Sequence, residues 1–200
     1  MSSYKVILEV SRLLQGTLWN GFNGNNDLTQ YVPNLEAIVL MNPADAAAQA
    51  NHRVSLWLYQ VQESEFLRNQ PPLRVPQHDD QIQFPPLVLN LYYLLTPSTN
   101  SVEGDQMVLG RSMQIFNDNA SLLLQSTEDP GTAEELRISM CQRDLRELAE
   151  VWEALQQPYR LSVCYEMRLV RVDSTRIQRT GRIRERAAQF QNAPAPAGAS

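Results

Sequence analysis

The stretch "QQPYRLSVCYEMRLVRVDS", residues 156–174, changes its hydrophobic period part-way along, and the reading of the fold turns on that change. Just upstream, Leu145, Leu148, Trp152 and Leu155 recur at three- and four-residue spacing and form one apolar stripe, which predicts a helix lying on a core. Pro158 is the expected stop. Beyond it Leu161, Val163, Tyr165, Met167 and Leu169 alternate with Arg160, Ser162, Cys164, Glu166 and Arg168. A period of two predicts a strand with one dry face and one polar, charged face. That strand then runs into an arginine-rich segment, which raises the question of what its charged face meets.

Other segments sort by the same test. Val6, Ile7, Val10, Leu13, Leu14, Thr17 and Leu18 follow a helical period, with Glu9, Arg12 and Gln15 opposite, Ser2 or Ser3 as cap, and "GFNGNND" as the stop. "EAIVL" is a short strand candidate, followed by an Ala- and Asn-rich connection. "VSLWLYQV" (54–61) and "LVLNLYYLL" (87–95) are apolar on both faces, so both are expected as interior strands of a sheet covered on two sides. The connection between them, "QESEFLRNQPPLRVPQHDDQIQFPP", is far longer than a hairpin loop and carries two Pro-Pro pairs; loops of that length are usually functional or disordered. Met107 to Asn117 is helical in spacing, and "ELRISM" alternates. The expected fold is α/β (α+β): a single domain with a mixed sheet flanked by helices over residues 1–173. Residues 174–200 are expected to be a flexible arm, Arg-rich and then Ala/Pro-rich.

Composition narrows the function classes. The 200-residue chain is 43% hydrophobic and 20% charged, values typical of a soluble globular domain. No apolar run reaches the roughly 20 residues of a membrane span, and the first twenty residues lack the solid apolar block of a signal peptide. Six arginines between Arg171 and Arg186, against Asp173 and Glu185, leave an excess of +4, so with a total of −5 the remainder carries −9. The two parts are expected to attract different partners, or each other. For the arm, three readings stay open: a solvated end, docking onto an acidic protein surface, and phosphate contact with nucleic acid.

Candidate chemistry is sparse. Cys141 and Cys164 have no CxxC spacing, which argues against a disulfide framework or a zinc site. Cys164 reads as a small strand residue, because nothing close in sequence supplies a base or a charge to stabilise a thiolate. His78 lies in "QHDDQ", a loop pattern read as solvated surface, and His52 precedes a strand. "GTLWNGFNG" follows a helix instead of joining a strand to one, so it is not a phosphate loop. No nucleophile, base and orienter set emerges, and neither enzyme activity nor a cofactor or metal is expected.

Taken in order, "RVSLWLYQVQESEFLRNQPPL", "FPPLVLNLYYLLTP" and "ELAEVWEALQQPYRLSVCYEMRLVRVDS" resemble the cap, or tail-terminator, proteins of phage-tail-like extracellular contractile injection systems of the antifeeding-prophage type. The resemblance spans residues 4–173 and rests on Leu58, Tyr59, Gln60 and Val61; Leu67, Arg68 and Asn69; Tyr93, Leu94, Leu95 and Thr96; Gly110, Arg111 and Met113; and Trp152, Pro158 and Tyr159. It implies a tail-terminator-like fold and a structural protein: a six-membered ring closing the distal end of sheath and inner tube, assembled in the cytoplasm on a particle that can leave the cell. Its implied partners are copies of itself, sheath and inner-tube proteins, with no membrane and no nucleic acid. The expected contacts are the long loop through Phe66, Leu67, Arg68 and Asn69, unless that loop is a self-packed cover over the sheet edge, and the arm through Arg171, Arg176, Arg179, Arg182, Arg184 and Arg186, by strand addition to a neighbour. The alternatives are a baseplate or tail-completion adaptor of the same particle and, from another class, a small nucleic-acid-binding module using the arm.

Overall fold

The two apolar runs expected as interior strands lie side by side at the centre of a six-stranded sheet. A computed structural model describes residues 4–67, 70–74, 81–125 and 133–179. In chain order the elements are α1 (Val6–Phe22), α2 (Asn26–Thr29), β1 (Ile38–Val39), α3 (Pro43–Ala47), β2 (Val54–Glu63), β3 (Leu73–Arg74), β4 (Gln81–Gln83), β5 (Leu87–Pro97), α4 (Val102–Asp118), β6 (Ser121–Gln125), β7 (Ala133–Met140), α5 (Leu145–Ala154), β8 (Val163–Val172) and β9 (Ile177–Arg179). The main sheet runs β1-β2-β5-β8-β7-β6. Only β1 and β2 pair in parallel, so the sheet is mixed as expected.

One face of this sheet is covered by α1 and α4. Val6, Val10, Leu14, Leu18 and Phe22 of α1, together with Val108, Ile115 and Phe116 of α4, pack on Leu56, Leu91, Tyr93, Leu95, Tyr165 and Met167. The helices approach closely where Gly21 faces Ile115: a Cβ at Gly21 would overlap that side chain, so only glycine fits. At the same place Arg111 donates from Nε and Nη2 to the Gly21 carbonyl at 3.2 and 2.9 Å, satisfying an acceptor near the end of α1. The Gly-Arg-x-Met element of the sequence is thus a helix-to-helix fastening. Gln15, expected on the solvent side of α1, instead donates to the Ile38 carbonyl at 2.5 Å and ties the helix to β1.

The opposite face is roofed by α5, which has a complete capping box between Asp144 and Glu147. Trp152 is the one buried residue of this helix, whereas Leu145 of the predicted stripe is exposed. The helix does not wait for Pro158. It ends at Ala154, because Gln156 adopts φ 54° and the Gln156 and Gln157 amides return to the carbonyls of Glu153 and Trp152, a left-handed stop usually made by glycine.

β8 departs from simple alternation. Its pairing with β5 runs from Leu91 opposite Met167 to Leu89 opposite Val170, so Arg168 and Leu169 face the single residue Asn90 in a bulge. Leu169 sits at φ 65° and is exposed, while Val170 takes the inward place that alternation assigned to Leu169. Cys164 and Glu166, predicted on an open polar face, are buried beneath the roof. Leu161, on the predicted dry face, is exposed ahead of the strand.

Other local expectations shift in the same way. The expected serine caps lie outside the described residues, and the structure starts α1 from Lys5 without a side-chain cap. The Ala-rich connection holds α3, capped by Asn42, and "EAIVL" supplies only the two residues of β1. Val61 and Leu87 are exposed. β6 was not anticipated.

Trp152 closes the contact between roof and sheet, so Trp152→Ala is expected to cost about 3–5 kcal/mol in denaturant unfolding. Leu169→Gly is expected to stabilise the domain by about 1 kcal/mol by relieving the left-handed backbone of a branched residue; Leu169→Val is expected to do the opposite, and the same unfolding curves check both.

Candidate assembly interface

The long loop and the arm, which the sequence presents as separate contact regions, meet in a small second sheet of order β3-β4-β9. Gln81, Ile82 and Gln83 of the loop pair antiparallel with Arg179, Gln178 and Ile177 of the arm. Gln83 Nε2 donates to the Ser174 carbonyl at 2.6 Å, and the Phe84 amide donates to the Arg176 carbonyl at 3.2 Å. The Arg176 guanidinium lies 4.2 Å from the centre of the Phe84 ring, a cation–π contact. The first part of the arm therefore adds a strand to its own chain.

Of the expected contact residues, Phe66 stands 95% exposed on the turn after β2, and Leu67 beside it is half-buried. Arg171 is exposed on β8, and Arg176 and Arg179 are exposed on and before β9. Arg68, Asn69, Arg182, Arg184 and Arg186 lie outside the described residues. β9 is an outer strand of the small sheet, and Ile177 on it is exposed. At the far side of the main sheet, β6 is likewise an outer strand with Leu123 64% exposed. Outer strands present backbone N–H and C=O groups that a neighbouring chain can extend. The sequence signal for β6 is weak: only Leu122, Leu123 and Leu124 separate polar neighbours.

The charged face of β8 is not among these surfaces, for its groups are satisfied within the chain. Glu166 accepts from Tyr92 OH at 3.0 Å and from Arg168 Nε at 2.7 Å. Ser162 Oγ accepts from Trp152 Nε1 at 3.2 Å. Tyr59 OH lies 3.0 Å from Cys164 Sγ. Arg143 reaches the same place, its guanidinium held by Glu147 at 2.7 Å, which pushes the arginine pKa up and the glutamate pKa down. The hydrogen bond from Cys141, and after it those from Tyr59 and Arg143, outweigh burial and bring the Cys164 thiol down to about 7. The groups able to stabilise a thiolate thus come from β2, the turn before α5 and the end of β7, none of them next to Cys164 in sequence. Among the described residues no group of three His, Cys, Asp or Glu side chains could hold a metal ion; His78 lies outside them, and the Nδ1 atom of His52 is buried without a hydrogen-bond partner.

The main sheet is thus mixed, with helices on both faces, and β6 and β9 are exposed outer strands. The sequence profile of the Pvc16 N-terminal domain matches residues 9–186, and the chain belongs to that family. Among solved structures, the PVC sheath/tube terminator of an extracellular contractile injection system, in its extended state, is similar with TM-score 0.67 and 17% identity, over 98% of this chain and 67% of that one. The anti-feeding prophage cap, a tube terminating cap, is similar with TM-score 0.53 and 22% identity, over 82% of this chain and 57% of that one. The chain thus spans about two thirds of the first and little more than half of the second. No curated protein sequence matches it. At these identities the likeness establishes a shared fold, the tail-terminator fold.

The Arg176–Phe84 contact is expected to couple arm and loop. A double-mutant cycle with Arg176→Ala and Phe84→Ala in denaturant unfolding is expected to return a coupling of about 0.5–1 kcal/mol; zero coupling would mean that β9 is held by its backbone alone.

Proposed function

We propose that this protein is the structural cap, or tail terminator, of a contractile injection system: copies of the chain form a ring, expected to be a hexamer, that closes the distal end of the sheath and inner tube and halts their growth. The observation that carries this reading is the fold match over 98% of the chain to a sheath/tube terminator. Membership of the Pvc16 N-terminal domain family supports it. The surfaces are suited to the role, since the β6 and β9 edges offer backbone pairing at two separate places and Phe66 offers an apolar anchor. The role asks for no catalysis. No described helix is long and apolar enough to cross a membrane, and the expected course is assembly in the cytoplasm followed by departure with the particle.

The arm joins in this role through charge. The +4 excess between Arg171 and Arg186 faces a remainder of −9, so copies of the chain, or the sheath, supply an acidic partner for it.

Deletion of the gene in a particle-producing strain, followed by negative-stain imaging, is the direct test. Uncapped particles of irregular length, restored by the wild-type gene, are the expected result; capped particles of normal length would overturn the cap reading, and correctly ended tails detached from their baseplates would point to an adaptor. One truncation then assigns the arm. Ending the chain after Arg179 keeps β9 and removes Arg182, Arg184 and Arg186 together with Glu185, a net charge of +2; cap occupancy is expected to fall more steeply as salt is raised in the wild type than in this variant, because exposed charges are screened within about 8 Å at physiological ionic strength.

A further inference from the structure

Cys141 and Cys164 form a pair that the cap role does not use. The register of β7 on β8 places Met140 opposite Tyr165, and one step further it sets Cys141 opposite Cys164, with the Cys141 amide donating to the Cys164 carbonyl at 2.8 Å. Directly opposed residues of an antiparallel pair have Cα atoms about 4.5–5.5 Å apart, inside the range of about 4.4–6.8 Å that a disulfide spans. Their side chains project to the same face of the sheet, which sets the two thiols beside each other. Both are free thiols, Cys164 buried and Cys141 half-buried.

We propose that Cys141 and Cys164 are a redox-active pair that a peroxide oxidises to an intramolecular disulfide, fastening β7 to β8 at the foot of the α5 roof. The surroundings divide the labour between the two sulfurs. Cys164 Sγ lies 3.0 Å from Tyr59 OH, and the neighbouring Cys141 thiol and Arg143 guanidinium act with it to favour the Cys164 thiolate; the Cys141 thiol is pushed far up, first by Cys164 and then by burial, and keeps its proton. A cleft of about 350 Å³ between β2 and α5 is lined by Tyr59 and Arg143, the same two side chains that touch Cys164, and gives a small oxidant a way in. The Cys164 thiolate attacks one peroxide oxygen and becomes a sulfenic acid as the O–O bond breaks and hydroxide leaves. Cys141 then gives up its proton and attacks the Cys164 sulfur, forming the S–S bond and expelling the second oxygen as water. Two thiols lose two electrons and two protons in all, and hydrogen peroxide is reduced to two waters.

The bond closes a loop over residues 142–163, the segment that contains α5, and so restrains the part of the domain held down mainly by Trp152. This chemistry requires one chain alone and does not depend on the cap role.

The test treats the purified full-length chain, native and reduced, with hydrogen peroxide. A mass loss of about 2 Da, a Cys141–Cys164 linked peptide in non-reducing digests, and a Tm rise of roughly 5–10 °C reversed by dithiothreitol are expected. Cys141→Ser is expected to abolish the linked peptide and the Tm rise and to leave a sulfenic acid at Cys164 that dimedone traps. Absence of the linked peptide in the wild-type chain, whether both thiols stay reduced, oxidise separately to higher acids or crosslink between molecules, would overturn the proposal, and that readout does not require any variant to fold.

Discussion

Each of the three central strands has two faces to keep from water, and the rest of the structure follows from how differently those faces are covered. On one side, α1 and α4 lay continuous apolar stripes over Leu56, Leu91, Tyr93, Leu95 and Met167, so the hydrophobic effect supplies the main driving force there. Even this side contains a polar pair, Ser11 Oγ and Tyr93 OH at 2.8 Å, and it is tolerated because each satisfies the other. On the opposite side the cover is one ten-residue helix with a single buried tryptophan. What that helix leaves over is sealed by a polar network instead of more apolar area.

That network has a physical consequence. Glu166, Cys164 and Ser162 lie in succession on one face of β8, and each would be costly to bury alone. Tyr92, Arg168, Tyr59, Arg143 and Trp152 supply their partners, so the face becomes an interior seam of directional bonds. The polar face of β8 is therefore occupied within the chain, whereas the outer strands β6 and β9 and the turn that bears Phe66 stay exposed. A seam of this kind contributes rigidity where apolar packing is thin.

The small sheet adds a second constraint. β4 and β9 lie far apart in sequence, and their pairing closes the long proline-punctuated loop against the root of the arm. The remaining edge of β9 faces outward. A strand held on one side by its own chain has a fixed position and direction, so an addition to its other side starts from an ordered template with less entropy to lose.

The sequence by itself determined whatever depends on local period and on sums. Three-to-four spacing found α1, α4 and α5, alternation found β7 and β8, continuous apolar runs found β2 and β5, and the charge count separated the basic arm from the acidic body. Ordered motifs along the chain were enough to suggest the tail-terminator fold, because core patterns in a fixed order survive where individual residues drift. Only the tertiary structure decided which polar residues were buried, since Glu166 and Cys164 look solvent-facing until Trp152, Tyr92 and Tyr59 are brought over them from other elements. It also decided the bulge at Leu169: a one-residue slip is set by the partner strand, and alternation within β8 contains no sign of Asn90 opposite. β3, β4 and β9 were invisible for the same reason, as two or three residues have no period of their own and exist as strands only through their pairing. Cys141 and Cys164 became a pair only through the register of β7 on β8, because a hydrogen-bonded register, unlike a periodic stripe, belongs to two segments at once.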